Sequence, residues 1–117
     1  MGHMFNISKF NQDISNWDTS SVTNMNSIFS TSKFNGDISK WDVSKVTNMR
    51  FMFAKSDFNE DISDWDVSKV TDMYGMFTNS KFNQDISKWN VKIVKYHENM
   101  FASCPLENNK KFQPVFK

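Results

Sequence analysis

His97 and Cys104 are the residues whose types could form a nucleophile–base pair. A thiol attacks only when a neighbouring base takes its proton and a third group holds that base. His3 is set aside, because the Met1-Gly2-His3 start has the look of a cloning scar. His97 stands where earlier parts of the chain carry a core methionine, and Cys104 where they carry a small serine. A packed histidine and a buried thiol are therefore expected. Carboxylates are the other chemistry-bearing set: Asp13, Asp37, Asp61 and Asp85 form one series and Asp18, Asp42 and Asp66 a second, each at intervals of 24. Acid–base catalysis needs two carboxyls in unlike environments, and regular spacing on equivalent surfaces gives the reverse. Capping and turn closure are the expected roles. Calcium between stacked carboxylates is the alternative, because recurring oxygen-rich loops can bind it; with three glycines in the chain, Gly-rich calcium loops have little to draw on. Walker loops, dinucleotide fingerprints and HExxH helices do not occur. The chain is expected to be no enzyme, with no cofactor, no catalytic residue and no assigned metal ligand.

The spacing that argues against catalysis describes the whole chain. The string FNEDISDWDVSKVTDMYGMF from Phe58 to Phe77 recurs almost unchanged from Phe34 and from Phe10, and a fourth, decaying copy starts at Phe82. Aligned at 24 residues, the apolar columns are Phe10/Phe34/Phe58/Phe82, Ile14/Ile38/Ile62/Ile86, Trp17/Trp41/Trp65/Trp89 and Val22/Val46/Val70/Val94. Met25/Met49/Met73, Ile28/Met52/Met76/Met100 and Phe29/Phe53/Phe77/Phe101 complete them, and Met4 and Phe5 fall on the last two. Seven apolar columns cannot close a core within one copy, whereas stacked copies bury a continuous one. A Trp column could stack sugars or bases, but one identical large aromatic per copy points first to a core ladder. Asn11/Asn35/Asn59/Asn83 and Ser15/Ser39/Ser63/Ser87 are read as polar ladders that satisfy backbone groups.

Val46, Met49, Met52 and Phe53 follow i, i+3, i+6, i+7 spacing behind Asp42 and Ser44, which predicts a short helix over 44–53. The segment 37–42, with Ile38 and Trp41, is predicted as a short strand. One strand and one short helix per 24 residues predict an α/β repeat: a right-handed leucine-rich-repeat-like solenoid of 24-residue coils. Residues 1–3 are the scar, 4–98 four tandem repeats, and 99–117 a partial fifth repeat and C-terminal cap. Phe112 and Phe116 would cover the open end there, with Pro105 and Pro114 in turns.

What refuses to repeat is the place to look for function. Between the two Met columns the copies read Asn26-Ser27, Arg50-Phe51, Tyr74-Gly75 and Glu98-Asn99. A strip that varies while its neighbours do not should face solvent. Arg50, Phe51 and Tyr74 then form a candidate partner-binding patch of the composition favoured at protein interfaces. Scattered surface residues without a partner are the plain alternative. Glu60 and Asp64 are the other variable positions in the third copy.

A net charge of +1 gives no electrostatic case for nucleic acid or an anionic membrane. A single cysteine excludes an internal disulfide framework. No apolar run approaches the roughly 18–20 residues of a membrane span. The oligomeric state stays open, since stack ends and strand edges could pair between chains.

The string FNxDISxWDxSxVTxMxxxF, present from Phe10, Phe34 and Phe58, resembles the repeats of bacterial surface proteins of the BspA-like leucine-rich-repeat group. The nearest branch is the mycoplasma domain-of-unknown-function type, also described as PARCEL repeats. The resemblance covers roughly residues 4–104, with Asn90, Lys92 and His97 departing from it in the last copy. It implies a surface lipoprotein or wall-anchored protein, whose signal and anchor lie outside this sequence, with a role in host contact. It brings no activity, cofactor or ligand residue. The expected function is thus a non-enzymatic cell-surface module that binds a protein partner, such as a host surface or matrix protein. A structural spacer without a ligand, or a calcium- or glycan-binding module, are the alternatives.

Overall fold

Where Asp, Asn and Ser stand decides how each copy bends. A short side-chain acceptor two residues ahead of an amide closes a local turn. In the second copy Asp37 Oδ1 accepts from the Ser39 amide at 2.9 Å. Asp42 Oδ1 accepts from the Ser44 amide at 3.0 Å and its hydroxyl at 2.6 Å. Asn48 Oδ1 accepts from the Arg50 amide at 2.9 Å. Backbone turns lie alongside: the Trp41 amide donates to the Ile38 carbonyl at 3.1 Å and the Val46 amide to the Val43 carbonyl at 3.0 Å. The computed structural model describes residues 13–116, and the readings made on Met1–His3, Met4, Phe5, Phe10 and Asn11 lie outside them.

Residues 49–56 form a run of overlapping turns. The Met52, Ala54 and Ser56 amides donate three residues back, to the Met49, Phe51 and Phe53 carbonyls at 3.1, 3.2 and 3.2 Å. The intervening amides of Met49, Phe51, Phe53 and Lys55 point outward instead. They donate to the Asp72, Tyr74, Met76 and Thr78 carbonyls of the next copy at 2.9, 3.0, 2.8 and 2.8 Å. Phe51 and Lys55 have φ of 55° and 56°, and Ser27/Thr31, Gly75/Asn79 and Asn99/Ser103 repeat that left-handed pair. A left-handed residue at every fourth position cannot continue an α-helix.

This overturns the predicted fold class. Among the described residues there is no strand and no sheet, and the helices are two 3-10 turns, Pro105–Asn108 and Lys110–Phe112. Parallel pairing is confined to single-residue bridges, Asn24 to Asn48, Asn48 to Asp72 and Asp72 to Tyr96. The right-handed α/β leucine-rich-repeat-like solenoid, with a short strand and a short helix per coil, is therefore wrong. The chain is a compact globule of turns, 35 × 28 × 20 Å. The handedness expectation falls with it, because it rested on crossovers between strands. The predicted strand at 37–42 is two turns, and the predicted helix at 44–53 is a turn run whose 3, 3, 1 apolar spacing imitates a helical face.

Large aromatics supply the core. Phe29, Phe53, Phe77 and Phe101 stack at centroid distances of 5.6, 5.5 and 6.0 Å. Phe34, Phe58 and Phe82 stack at 6.4 and 6.1 Å, and the two columns touch at 4.8, 4.4 and 4.2 Å. Each fully buried ring is worth about 2–3 kcal/mol of transfer free energy. Trp41, Trp65 and Trp89 are buried too, and each indole N–H donates to an isoleucine carbonyl of the preceding copy: Ile14 at 2.9 Å, Ile38 at 3.0 Å and Ile62 at 3.1 Å. A further core column, Val43, Val67 and Val91, has Thr19 as its buried equivalent; Thr19 Oγ1 donates to the Asp42 carbonyl at 3.0 Å. Sequence reasoning missed that column because its first member is polar.

Leu106 is fully buried where earlier copies place phenylalanine. The Ile86 amide donates to the Phe112 carbonyl at 2.9 Å, which ties the chain's end across the last copy. Phe112 and Phe116 are partly buried against the core.

Candidate functional site

Arg50, Phe51 and Tyr74 meet because their stretches lie side by side. The Phe51 amide donates to the Tyr74 carbonyl at 3.0 Å, which sets the two residues in register. Their rings then pack edge to face at 5.5 Å and 87°. The Arg50 guanidinium lies over the Tyr74 ring at 4.4 Å and within 5.4 Å of the Phe51 centroid, inside cation–π range. Arg50 Nη1 also reaches Asp72 Oδ2 at 3.3 Å, and Asn99 Nδ2 donates to the Tyr74 hydroxyl at 3.2 Å.

All three side chains are half-buried rather than fully exposed, because they cover one another. Ser27 and Gly75, on the same variable strip, are buried, whereas Glu98 and Asn99 are exposed. The strip does not face solvent as a unit. Its second position is a left-handed turn residue, and Gly75 there leaves the space into which the Phe51 ring packs. The departures from the repeat fit together across copies: Arg50 with Asp72, Phe51 with Gly75.

A family model described as a Mycoplasma protein of unknown function, DUF285, matches residues 1–113. The chain belongs to this DUF285 family. No curated protein and no solved structure matches it.

The remaining candidates in this DUF285 chain have structural explanations. Asp13, Asp37, Asp61 and Asp85, and likewise Asp18, Asp42 and Asp66, accept from the amide of the serine two residues on. Hydrogen bonds from those serines hold every one of these carboxyls below the ordinary Asp value. Asp61 feels Asp37 and Asp85 as weaker, opposing influences. Asp37, Glu60, Asp61 and Asp64 line an acidic cleft of about 240 Å³ with Ser39. Among the described residues, no three His, Cys, Asp or Glu side chains converge as a metal site.

Cys104 is buried, its Sγ 3.2 Å from the Phe82 carbonyl and 3.6 Å from Ser80 Oγ. Burial pushes its thiol up from the ordinary value, which disfavours the nucleophilic thiolate. The His97 ring is stacked on Phe116 at 4.0 Å. Neither residue touches the other in any hydrogen bond.

Proposed function

We propose that this DUF285 chain is a non-enzymatic interaction module of a bacterial cell surface, which engages a protein partner through Arg50, Phe51 and Tyr74. The observation that carries the reading is the packed cluster itself. An arginine and two aromatics, all departures from the repeat, are brought into one half-exposed group. Aromatics and arginine dominate binding energy at protein interfaces, since they combine apolar area with directed polar contacts. A cluster already held in place loses little side-chain entropy on binding. The resemblance of the repeats to BspA-like surface proteins supports a surface location and a host or matrix protein as the partner. Each carboxylate of the series closes a turn through one oxygen, a repeated structural role that favours neither calcium chemistry nor catalysis.

One observation favours the spacer reading. Arg50 is already paired with Asp72, so the patch is partly satisfied from within. Pull-down against host surface and matrix proteins separates the two. The Arg50→Ala/Tyr74→Ala variant should lose at least tenfold in affinity, about 1.4 kcal/mol, while still unfolding in one cooperative transition above the assay temperature. Equal recovery of any partner by wild type and variant removes the patch from consideration.

A further inference from the structure

Among the described residues, no further copy is laid across the row of amides in the fourth copy. In each earlier copy four alternate amides donate to carbonyls of the next: from Met25, Ser27, Phe29 and Thr31, then Met49, Phe51, Phe53 and Lys55, then Met73, Gly75, Phe77 and Asn79. The equivalent amides of the last copy belong to His97, Asn99, Phe101 and Ser103. The carbonyls beside them, on Tyr96, Glu98, Met100 and Ala102, are used up by the copy behind. This edge therefore offers donors only. Carboxylates close its two ends: Glu98 Oε1 accepts from the His97 amide at 2.9 Å and Glu107 Oε1 from the Ser103 amide at 3.4 Å. The two middle amides, of Asn99 and Phe101, have no acceptor among the described residues.

A cleft of about 370 Å³ lies over them, bounded by His97, Phe101, Ala102, Glu107, Gln113 and Phe116. That volume is within the ~300–1,000 Å³ range of ligand clefts. We propose that this end cleft is a docking site for a short peptide in the turn conformation of the chain's own copies, held by two of its carbonyls, two residues apart, on the Asn99 and Phe101 amides.

The occupant follows from the interface already built three times in the chain. Gly75 and Phe77 amides meet the Glu98 and Met100 carbonyls at 3.0 and 2.9 Å, and Phe51 and Phe53 amides meet those of Tyr74 and Met76 at 3.0 and 2.8 Å. Each time the residue after the second carbonyl is a phenylalanine whose ring lies on the one behind, as Phe101 lies on Phe77 at 6.0 Å. A segment carrying Met-Phe meets the same demands at Asn99 and Phe101. A whole further copy does not fit. Phe112 already occupies the Ile86 amide and Phe116 lies on His97, so the tail fills the rest of this end. Backbone pairing at an open edge then gives affinity, and the aromatic contact gives selectivity. This site does not rest on the Arg50–Tyr74 reading.

The probe is a blocked decapeptide with the sequence of residues 71–80, and the readout is amide hydrogen exchange in the full chain. In the free chain the Asn99 and Phe101 amides should exchange at least tenfold faster than those of Gly75 and Phe77. Saturating peptide should slow them at least tenfold, a scrambled peptide should not, and Ala102→Trp should abolish the effect by filling the cleft. Slow exchange at both amides before peptide is added overturns the proposal, as does an unchanged rate at millimolar peptide or an equal effect of the scrambled sequence. Protection that rises with protein concentration alone also overturns it, because the edge is then a contact between copies of the chain. The wild-type amides decide the question even if the Trp variant folds poorly.

Discussion

A Cβ added to Gly75 would fall 2.4 Å from Cε1 of Phe51, inside the ring's own space. The two residues occupy the same position in adjacent copies, and both have left-handed φ, 55° at Phe51 and 60° at Gly75. Phe51 therefore sits in a backbone region that phenylalanine rarely adopts, and its ring is accommodated because the residue above it has no side chain. The pair is one packing unit.

Gly75→Ala should cost more than the backbone term alone. Left-handed φ costs a non-glycine residue about 1–2 kcal/mol, and displacing the ring adds about 1–3 kcal/mol of overpacking. In a Phe51→Ser background, which copies the residue found at Ser27, the overpacking part should vanish. Urea denaturation of the four proteins in a double-mutant cycle should give a coupling of at least ~1 kcal/mol. Additive costs would show that the ring moves aside freely.

Trp65 links neighbouring copies by packing and by one polar bond. Its indole N–H donates to the Ile38 carbonyl at 3.0 Å, which also accepts from the Trp41 amide. Trp65→Phe keeps an aromatic but removes that bond and leaves a void, and should cost about 2–4 kcal/mol. Chemical denaturation measures it. A loss below 0.5 kcal/mol would mean that the neighbouring side chains collapse into the space.

Among the described residues the columns of Phe, Ile, Trp and Met were legible because burial imposes the same residue types wherever the environment recurs; Trp17 is the exception, exposed at 37% where Trp41, Trp65 and Trp89 are buried. Met49, Met52 and Phe53 are all fully buried, as their recurrence required. Their secondary structure was not legible, because apolar spacing records which side chains point inward and says nothing of where the amides point. In this chain alternate amides leave the local turn for the next copy, with Phe51 and Lys55 left-handed between them. Neither residue type announces positive φ; Gly75 and Asn79 one copy on, and Asn99 two copies on, carry that signal at the same positions. The candidate patch was found from its failure to repeat. Its pairing with Asp72 and Gly75 could have been found too, since both also depart from their columns, Asp72 standing against Asn24 and Asn48. The end cleft could not, because it depends on where the tail folds.

Acid should weaken the fold through the aspartate turns. Hydrogen bonds from serine hold these carboxyls below their ordinary value of 3.8. A carboxyl with a depressed folded pKa stabilises the fold above its unfolded value, and that contribution disappears as the pH falls through the folded value. The urea midpoint should therefore hold from neutral pH to about 4 and decline below it. Asp42→Asn/Asp66→Asn should flatten that decline, since an amide oxygen still closes the turn, as Asn90 Oδ1 does for the Lys92 amide at 3.2 Å. Midpoints measured between pH 7 and pH 2 that fall equally in both proteins would exclude these turns as the cause.

Three equivalent serines should respond differently to the loss of their hydroxyls. Ser32 Oγ accepts from the Phe34 amide at 2.9 Å and Ser80 Oγ from the Phe82 amide at 3.3 Å. Ser56 is as buried as they are, yet its Oγ has no hydrogen-bond partner. An unpaired buried hydroxyl is destabilising relative to a methyl group of similar shape, whereas a paired one contributes about 1 kcal/mol and leaves an orphaned amide when removed. Ser56→Ala should thus be neutral or stabilising by up to ~1 kcal/mol, while Ser32→Ala should cost about 1–2 kcal/mol. Ser80→Ala should cost about as much as Ser32→Ala, since its longer acceptor bond is offset by the bond its hydroxyl donates to Cys104 Sγ at 3.6 Å. Thermal and urea unfolding of the three variants gives the ranking, and a Ser56→Ala protein as destabilised as Ser32→Ala would mean that the Ser56 hydroxyl is satisfied in solution.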